Sequence, residues 1–337
     1  MTYARKNLVS LRDTPYYHVV ARCVRRAWLW GVDEYAGRDH SHRKQWVIDR
    51  VAHLTTVFAI DVCAYAIMSN HYHLVLRVDR DRAQTLTKRE VALRWAQIYT
   101  LPQSVTKWLD AQDRGVVLES AAEAQQAEAL IEKWRVRLFE LSWFMKCLNE
   151  HLARKANAED ECDGRFWQGR FRCQALLDEA GLLTAMAYVD LNPVRAGIAK
   201  SPESSSFTSI YERIRELRSA GRNARTKRSS KRKVPLQPFL SPREARPQIP
   251  FKLEDYLELV DWSGRVIRSD KGHALDALLP PVMQRLNIDR DAWELAMRPK
   301  GNVFGRALGR LNHLRLHAQT LGQSWVRGLR EAERLYA

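Results

Sequence analysis

Long uninterrupted apolar runs are missing from this chain: no stretch reaches the ~20 consecutive apolar residues that a membrane-spanning helix needs. The segment from Met1 to Pro15 carries charges in place of a signal-peptide hydrophobic run, so a soluble, intracellular protein with no membrane partner is expected. Cysteine is scarce as well. Cys23, Cys63, Cys147, Cys162 and Cys173 are odd in number, widely spaced and form no C-x-x-C pair, which argues against a disulfide framework or a zinc knuckle and leaves reduced, mostly buried thiols. The third shortage is acidic charge. Asp and Glu number 39 against 55 Lys and Arg, a formal net charge of +16. An excess of that size repels itself unless a polyanion binds, and nucleic acid is the usual polyanion.

What is present suffices for a core. Hydrophobic residues make up 45% of 337, enough for one larger or two modest domains. Tyr16 to Val24, rich in β-branched and aromatic residues, predicts a strand. From about Ser41 to Phe58 the apolar positions Trp46, Val47, Val51, Leu54 and Val57 recur at three and four, which predicts a helix. Two strands follow, about Ala59 to Met68 and His71 to Val78, separated only by the turn residues Ser69-Asn70. About Ala83 to Leu130 reads as a charged helical insertion broken at Leu101-Pro102. A long amphipathic helix is expected from about Ile131 to Ala156, burying Leu138, Leu141, Phe144, Met145 and Leu148. A fourth strand, Phe171 to Leu177, leads into a helix capped by Asp178 and ended after Leu191 by Asn192-Pro193. The order β-α-β-β-(insert)-α-β-α has the pattern of an α+β, ferredoxin-like split-βαβ sheet with helices on one face, an architecture that hosts many unrelated functions.

Arg218 to Lys233 is half basic and free of acid, and Pro235, Pro238, Pro242, Pro247 and Pro250 follow it. Residues 213–250 are therefore expected to be a flexible, then stiffened, basic linker. Residues 251–337 read as a small helical C-terminal domain anchored by Trp262, Trp293 and Trp325.

The chemistry concentrates in two elements. Strand side chains alternate, so His71 and His73 present two imidazoles on one face while Tyr72 points the other way. Two convergent imidazoles are half a metal site, but 10 histidines in 337 residues give about 0.3 such pairs by chance. On the helix before Pro193, Tyr188 and Asn192 lie four apart and share a face, bringing a phenol and an amide oxygen toward one point. Alone, this element better describes a tyrosine packed on the sheet beneath an ordinary proline stop. His18, on the first strand, could face the same site, but a core or edge histidine is the expectation.

Taken together, MSNHYHLVLRV from Met68, FWQGRFR from Phe166 and YVDLNPVRAG from Tyr188 resemble the motifs of the HUH-type single-tyrosine transposases, the REP-associated branch above all. LSWFMKCLNEHLARKAN from Leu141 is similar to that family's helix before the fourth strand, and FKLEDYLELVDWSGR from Phe251 to extensions of its longer members. The likeness covers about Tyr16 to Ser209, interrupted by the insertion, and implies a nuclease domain at 1–212 followed by linker and helical accessory domain. It implies that Tyr188 attacks a phosphodiester of single-stranded or palindromic hairpin DNA to leave a 5′-phosphotyrosine. His71, His73 and Asn192 would then hold a divalent metal, Mg2+ or Mn2+. A single tyrosine makes one covalent link at a time, so full transposition calls for a homodimer, whereas cleavage and rejoining alone suit a monomer. A cytoplasmic, nucleoid-associated enzyme is expected.

For DNA contact, Trp167 and Gln168 sit in an aromatic–arginine stretch suited to stacking and phosphate binding. Arg170, Arg172 and Arg195 are the phosphate-contact candidates, and Arg228, Lys231 and Arg232 of the linker add salt-sensitive affinity. The alternative is a domesticated protein that binds hairpin DNA or RNA without cutting. It has no chemical need of an intact His71, His73, Tyr188 and Asn192. A ferredoxin-like RNA-binding module would expose aromatics on central strands, whereas Tyr72 lies where helices cover it.

Two neutral imidazoles and an amide bring no negative charge, so a hard ion binds weakly until phosphate oxygens join its shell, and imidazole suits manganese better than magnesium. Cleavage is expected to run at least as well with Mn2+ as with Mg2+, and calorimetry on DNA-free protein should find weak metal binding; tight binding there would overturn this ligand set.

Overall fold

The computed structural model describes residues 9–24, 32–33, 38–118, 120–220, 233–242, 246–268, 280–298, 305–324 and 326–336. The chain opens on β1 (Tyr16–Arg22), a two-residue ribbon of β2 (Val32–Asp33) and β3 (Arg38–Asp39), helix α1 (Arg43–Val57), and the hairpin of β4 (Ile60–Ile67) and β5 (His71–Val78). Helices α2 (Arg80–Thr85), α3 (Lys88–Ala96), α4 (Gln103–Arg114) and α5 (Ala121–Arg137) precede α6 (Leu141–Glu159) and β6 (Arg172–Leu176). Then come α7 (Glu179–Asp190), the single turn α8 (Asn192–Arg195) and α9 (Ser209–Ala220). The C-terminal region holds α10 (Leu253–Arg268), α11 (Pro281–Arg285), α12 (Arg290–Met297), β7 (Ala307–Leu308), α13 (Leu311–Thr320) and α14 (Leu329–Leu335).

The strands form an open, mixed sheet in the order β4-β5-β1-β6-β7, antiparallel except for the β6–β7 pair. Placing β5 between β1 and β4, antiparallel to both, is consistent with a split-βαβ arrangement. Helices flank both faces, against the expectation of one. Tyr72 sends its hydroxyl to Asn149 on α6, while its neighbour His73 meets Asn192 beyond the end of α7 on the opposite side. The reason lies in α7, whose Leu182, Leu183, Ala185, Met186, Ala187 and Val189 are all buried. A helix apolar all round must be enclosed, so it fills the second face.

Four other expectations change. The single helix predicted over 131–156 is two, α5 and α6, because Leu138 turns its carbonyl to the Ala59 N–H at 2.9 Å and Glu140 is extended. Asn192-Pro193 does not end the helical path but restarts it as α8, with proline in the first turn where its missing N–H costs nothing. The C-terminal region is not wholly helical: β7 pairs with β6 and widens the sheet to five strands. Asp178 caps α7 at Gly181 and also accepts the Arg310 N–H at 2.7 Å, and Tyr336 donates to Thr184 at 2.9 Å. Past Lys233 the proline-rich stretch packs instead of hanging free. Gln237 donates its N–H to Val62 at 2.8 Å, and Phe239 and Ile249 are buried, so the outer edge of β4 is covered.

Trp262 and Trp293 are core residues, with the Trp293 indole donating to Ser263 at 2.9 Å; Trp325 lies outside the described residues. All five cysteines are unbridged, and Cys23, Cys63 and Cys147 are buried. Among the described residues no helix is long and apolar enough to cross a membrane. Where α7 crosses β7, a methyl added at Gly181 would lie 2.5 Å from the Leu308 carbonyl oxygen. Gly181→Ala is therefore expected to lower stability by about 1–3 kcal/mol in urea denaturation, whereas the exposed neighbour change Glu179→Ala should stay within ~0.5 kcal/mol.

Candidate functional site

Antiparallel pairing decides which side chains share a face. Val20 stands opposite His73 and Arg172, Arg22 opposite His71, and His18 opposite Gln174. Cross-strand partners project to the same side of a sheet, so β1, β5 and β6 deliver three histidines, two arginines and a glutamine to one surface. Helix α7 lays Tyr188 across it, and α8 adds Asn192 and Arg195. Together they line a cavity of about 570 Å³ with Gln168, Gly169, Arg170 and Gly305 on its rim. Four arginines and three histidines are among the described lining residues, and no carboxylate is. Such a lining favours an anion.

The Tyr188 ring meets His73 edge-on at 6.1 Å between centroids and His18 at 6.3 Å. The His71 and His73 rings are 4.9 Å apart. The Asn192 amide donates to His73 Nε2 at 3.1 Å, and His71 Nδ1 bonds Asn70 Oδ1 at 2.6 Å. Behind His73, its Nδ1 lies 2.9 Å from His18 Nε2, and His18 Nδ1 lies 3.2 Å from Gln174 Oε1. Gln174 in turn donates to the Gly305 carbonyl at 3.1 Å.

Burial sets the charge state of these rings. It pushes the pKa of His18 down to about 4, with Gln174 opposing, and that of His71 to about 4, with help from the Arg22 charge. His73 is driven well below its ordinary value by burial and then by the neighbouring His18, His71, Arg195 and Arg22. All three are neutral near pH 7 and keep a lone pair for a proton or a metal. The donor set fits a divalent ion. A half-turn of the Asn192 amide would set its oxygen beside His73 Nε2 at the observed 3.1 Å, and adjacent ligands of an octahedral ion held at ~2.1 Å stand about 3 Å apart.

The remaining sequence candidates fall in four groups. Arg170 and Arg172 are exposed on the cavity rim, with Gln168 beside them. Trp167 is elsewhere: its indole donates to the Asn149 carbonyl at 2.8 Å and packs edge-on against Tyr72 on the opposite face, because a half-buried N–H takes the acceptor within reach. Arg195 lines the cavity, yet it is buried and bound. Its guanidinium lies 4.0 Å over the Tyr188 ring and donates to the Met297 and Arg298 carbonyls at 2.7 and 2.8 Å. Arg228, Lys231 and Arg232 lie outside the described residues. Sequence reasoning missed Arg22 and Gln174 and set His18 aside. Period-two spacing of His18, Val20 and Arg22 was visible, but not which neighbour that face would meet.

A second cluster could hold a cation: His40, Glu159 and Asp160 place ligand atoms within 4.8 Å of one another. Arg43 is paired with both carboxylates there, so part of their negative charge is already offset.

No family model matches the chain, and no curated protein does. Among solved structures it is similar to one described as "Structure of the REP associates tyrosine transposase bound to a REP hairpin", with a TM-score of 0.37 and 10% identity, covering 70% of this chain and 100% of that one. A likeness of that size defines neither family nor activity.

Because Arg195 braces α8 against the C-terminal end of α12, Arg195→Ala is expected to cost about 2–3 kcal/mol by removing the donor to the Met297 and Arg298 carbonyls. Arg170→Ala and Arg172→Ala should stay within ~0.5 kcal/mol in the same urea denaturation series.

Proposed function

We propose that the chain is a metal-dependent, single-tyrosine enzyme of transposase type that cleaves and rejoins single-stranded or hairpin DNA. One observation supports this above the rest: a phenol, an amide and paired imidazoles from separate elements meet in one arginine-rimmed cavity whose described lining has no carboxylate. The order of motifs from Met68 to Gly197 points the same way.

In this mechanism Tyr188 is the nucleophile. Its oxygen forms a bond to phosphorus, the bond from phosphorus to the 3′ oxygen breaks, and the 3′ end leaves as a hydroxyl. The ester keeps the 5′ phosphate on Tyr188, so attack by a 3′-hydroxyl reverses the step and rejoins a strand. Arg22, Arg170 and Arg172 hold the backbone and offset its charge. Arg195, stacked on the phenol ring, orients the nucleophile. His71, His73 and Asn192 would hold a divalent ion, Mg2+ or Mn2+, which when bound supplies charge neutralisation at the scissile phosphate. The basic stretch with Arg228, Lys231 and Arg232 adds sequence-independent affinity. Two copies of the chain would be needed to move both ends of an element.

The test is a labelled hairpin oligonucleotide incubated with the protein and Mn2+, then run on a denaturing gel. Wild type is expected to form a covalent adduct that Tyr188→Phe lacks while binding the oligonucleotide within a few-fold of wild type. Binding by wild type with no adduct under any divalent metal would favour the non-cleaving hairpin-binding protein instead.

A further inference from the structure

The hydrogen bonds behind His73 run in one direction, and their chemistry fixes where each proton sits. Gln174 donates through its amide nitrogen to the Gly305 carbonyl, which can only accept. That orientation turns Gln174 Oε1 toward His18, so His18 Nδ1 must carry the proton and donate. A neutral imidazole with its proton on Nδ1 has a lone pair on Nε2. His18 Nε2 therefore accepts from His73 Nδ1, which places the His73 proton there and the lone pair on Nε2, the atom facing Asn192. Each link rests on an acceptor that cannot donate, from a backbone carbonyl inward.

We propose that Gln174 and His18 are positioning residues forming a one-way relay, anchored on the Gly305 carbonyl, that holds His73 in the tautomer with its Nε2 lone pair on the cavity side, where it accepts from the Asn192 amide. The ligand tautomer is then set by the C-terminal region, 131 residues from Gln174 in sequence, where the loop before β7 presents that carbonyl. The same chain excludes the alternative in which the His73 proton sits on Nε2 and closes that position to a metal. Ligating histidines commonly donate the second ring nitrogen to a carboxylate or a carbonyl. Here a second imidazole takes that place, which keeps the cavity free of a buried negative charge. The proposal deepens the nuclease assignment but does not need catalysis to be tested.

The full chain, metal-free and labelled with 15N-histidine, reports each ring's tautomer by long-range proton–nitrogen correlation spectroscopy at neutral pH. His18 and His73 are expected to be protonated on Nδ1. His18→Phe removes the acceptor and should shift His73 toward the Nε2-protonated form, whereas His18→Gln, whose amide oxygen can accept, should keep it on Nδ1. Gln174→Leu should leave His18 a mixture of tautomers. With oligonucleotide bound to proteins that also carry Tyr188→Phe, Mn2+ affinity is expected to fall about 10–100-fold in His18→Phe and to recover in His18→Gln. Wild-type His73 protonated on Nε2, or a His73 tautomer unmoved by His18→Phe, overturns the relay. The wild-type spectrum decides this even if a variant fails to fold. The expected tautomers together with no adduct in the hairpin assay would support the relay and reject only the nuclease function.

Discussion

The register of β1 between β5 and β6 is the constraint on which the rest depends. With Val20 opposite His73 and His18 opposite Gln174, one surface of the sheet collects His18, Arg22, His71, His73, Arg172 and Gln174. Tyr17, Val19, Ala21, Tyr72 and Leu74 go to the other face and are buried. A slip of one residue would exchange the two sets, setting imidazoles against the apolar side of α6 and aromatics beneath Tyr188. The burial of the apolar set therefore holds the polar set in place.

The second requirement is a fixed α7, since Tyr188 and Asn192 are useful only at a set height over the sheet. Asp190, fully buried between them, supplies it. One carboxylate oxygen accepts from Ser209 and from the Ile210 N–H, and the other accepts from Tyr256, so α7, α9 and α10 meet on a single side chain. Burial raises its pKa to about 6 even though those hydrogen bonds pull the other way. From the far side, Arg195 ties α8 to the carbonyls at Met297 and Arg298. The tyrosine helix is thus held by polar contacts to the C-terminal region as well as by apolar packing on the sheet.

Much of this was legible in advance because the signals are local. The hairpin of β4 and β5 follows from two β-rich runs around Ser69-Asn70, and the shared face of His71 and His73 from strand alternation. Asp178 as an N-cap needs only its own side chain and the next turn, and it bonds Gly181 as a cap should. The missed elements share the opposite property. The break at Leu138 depends on an N–H donor some eighty residues earlier, at Ala59. The two residues of β7 are too few to carry a strand pattern and exist because β6 offers an open edge. Trp167 looked like a stacking platform from its composition, but a distant acceptor at Asn149 drew it to the other face.

By itself the sequence determined the chemistry on offer: a basic chain short of acid, two imidazoles at strand spacing, and a phenol with an amide one helical turn apart. Periodicity and residue type suffice for that, because neighbours along a strand or helix have their relative directions set by backbone geometry alone. Only the tertiary structure decided which of these groups meet. His18 joined the cavity, Arg195 became a brace, and Gln174 acquired its anchor at Gly305, since such contacts depend on strand register and on segments far apart in the chain coming to rest against each other.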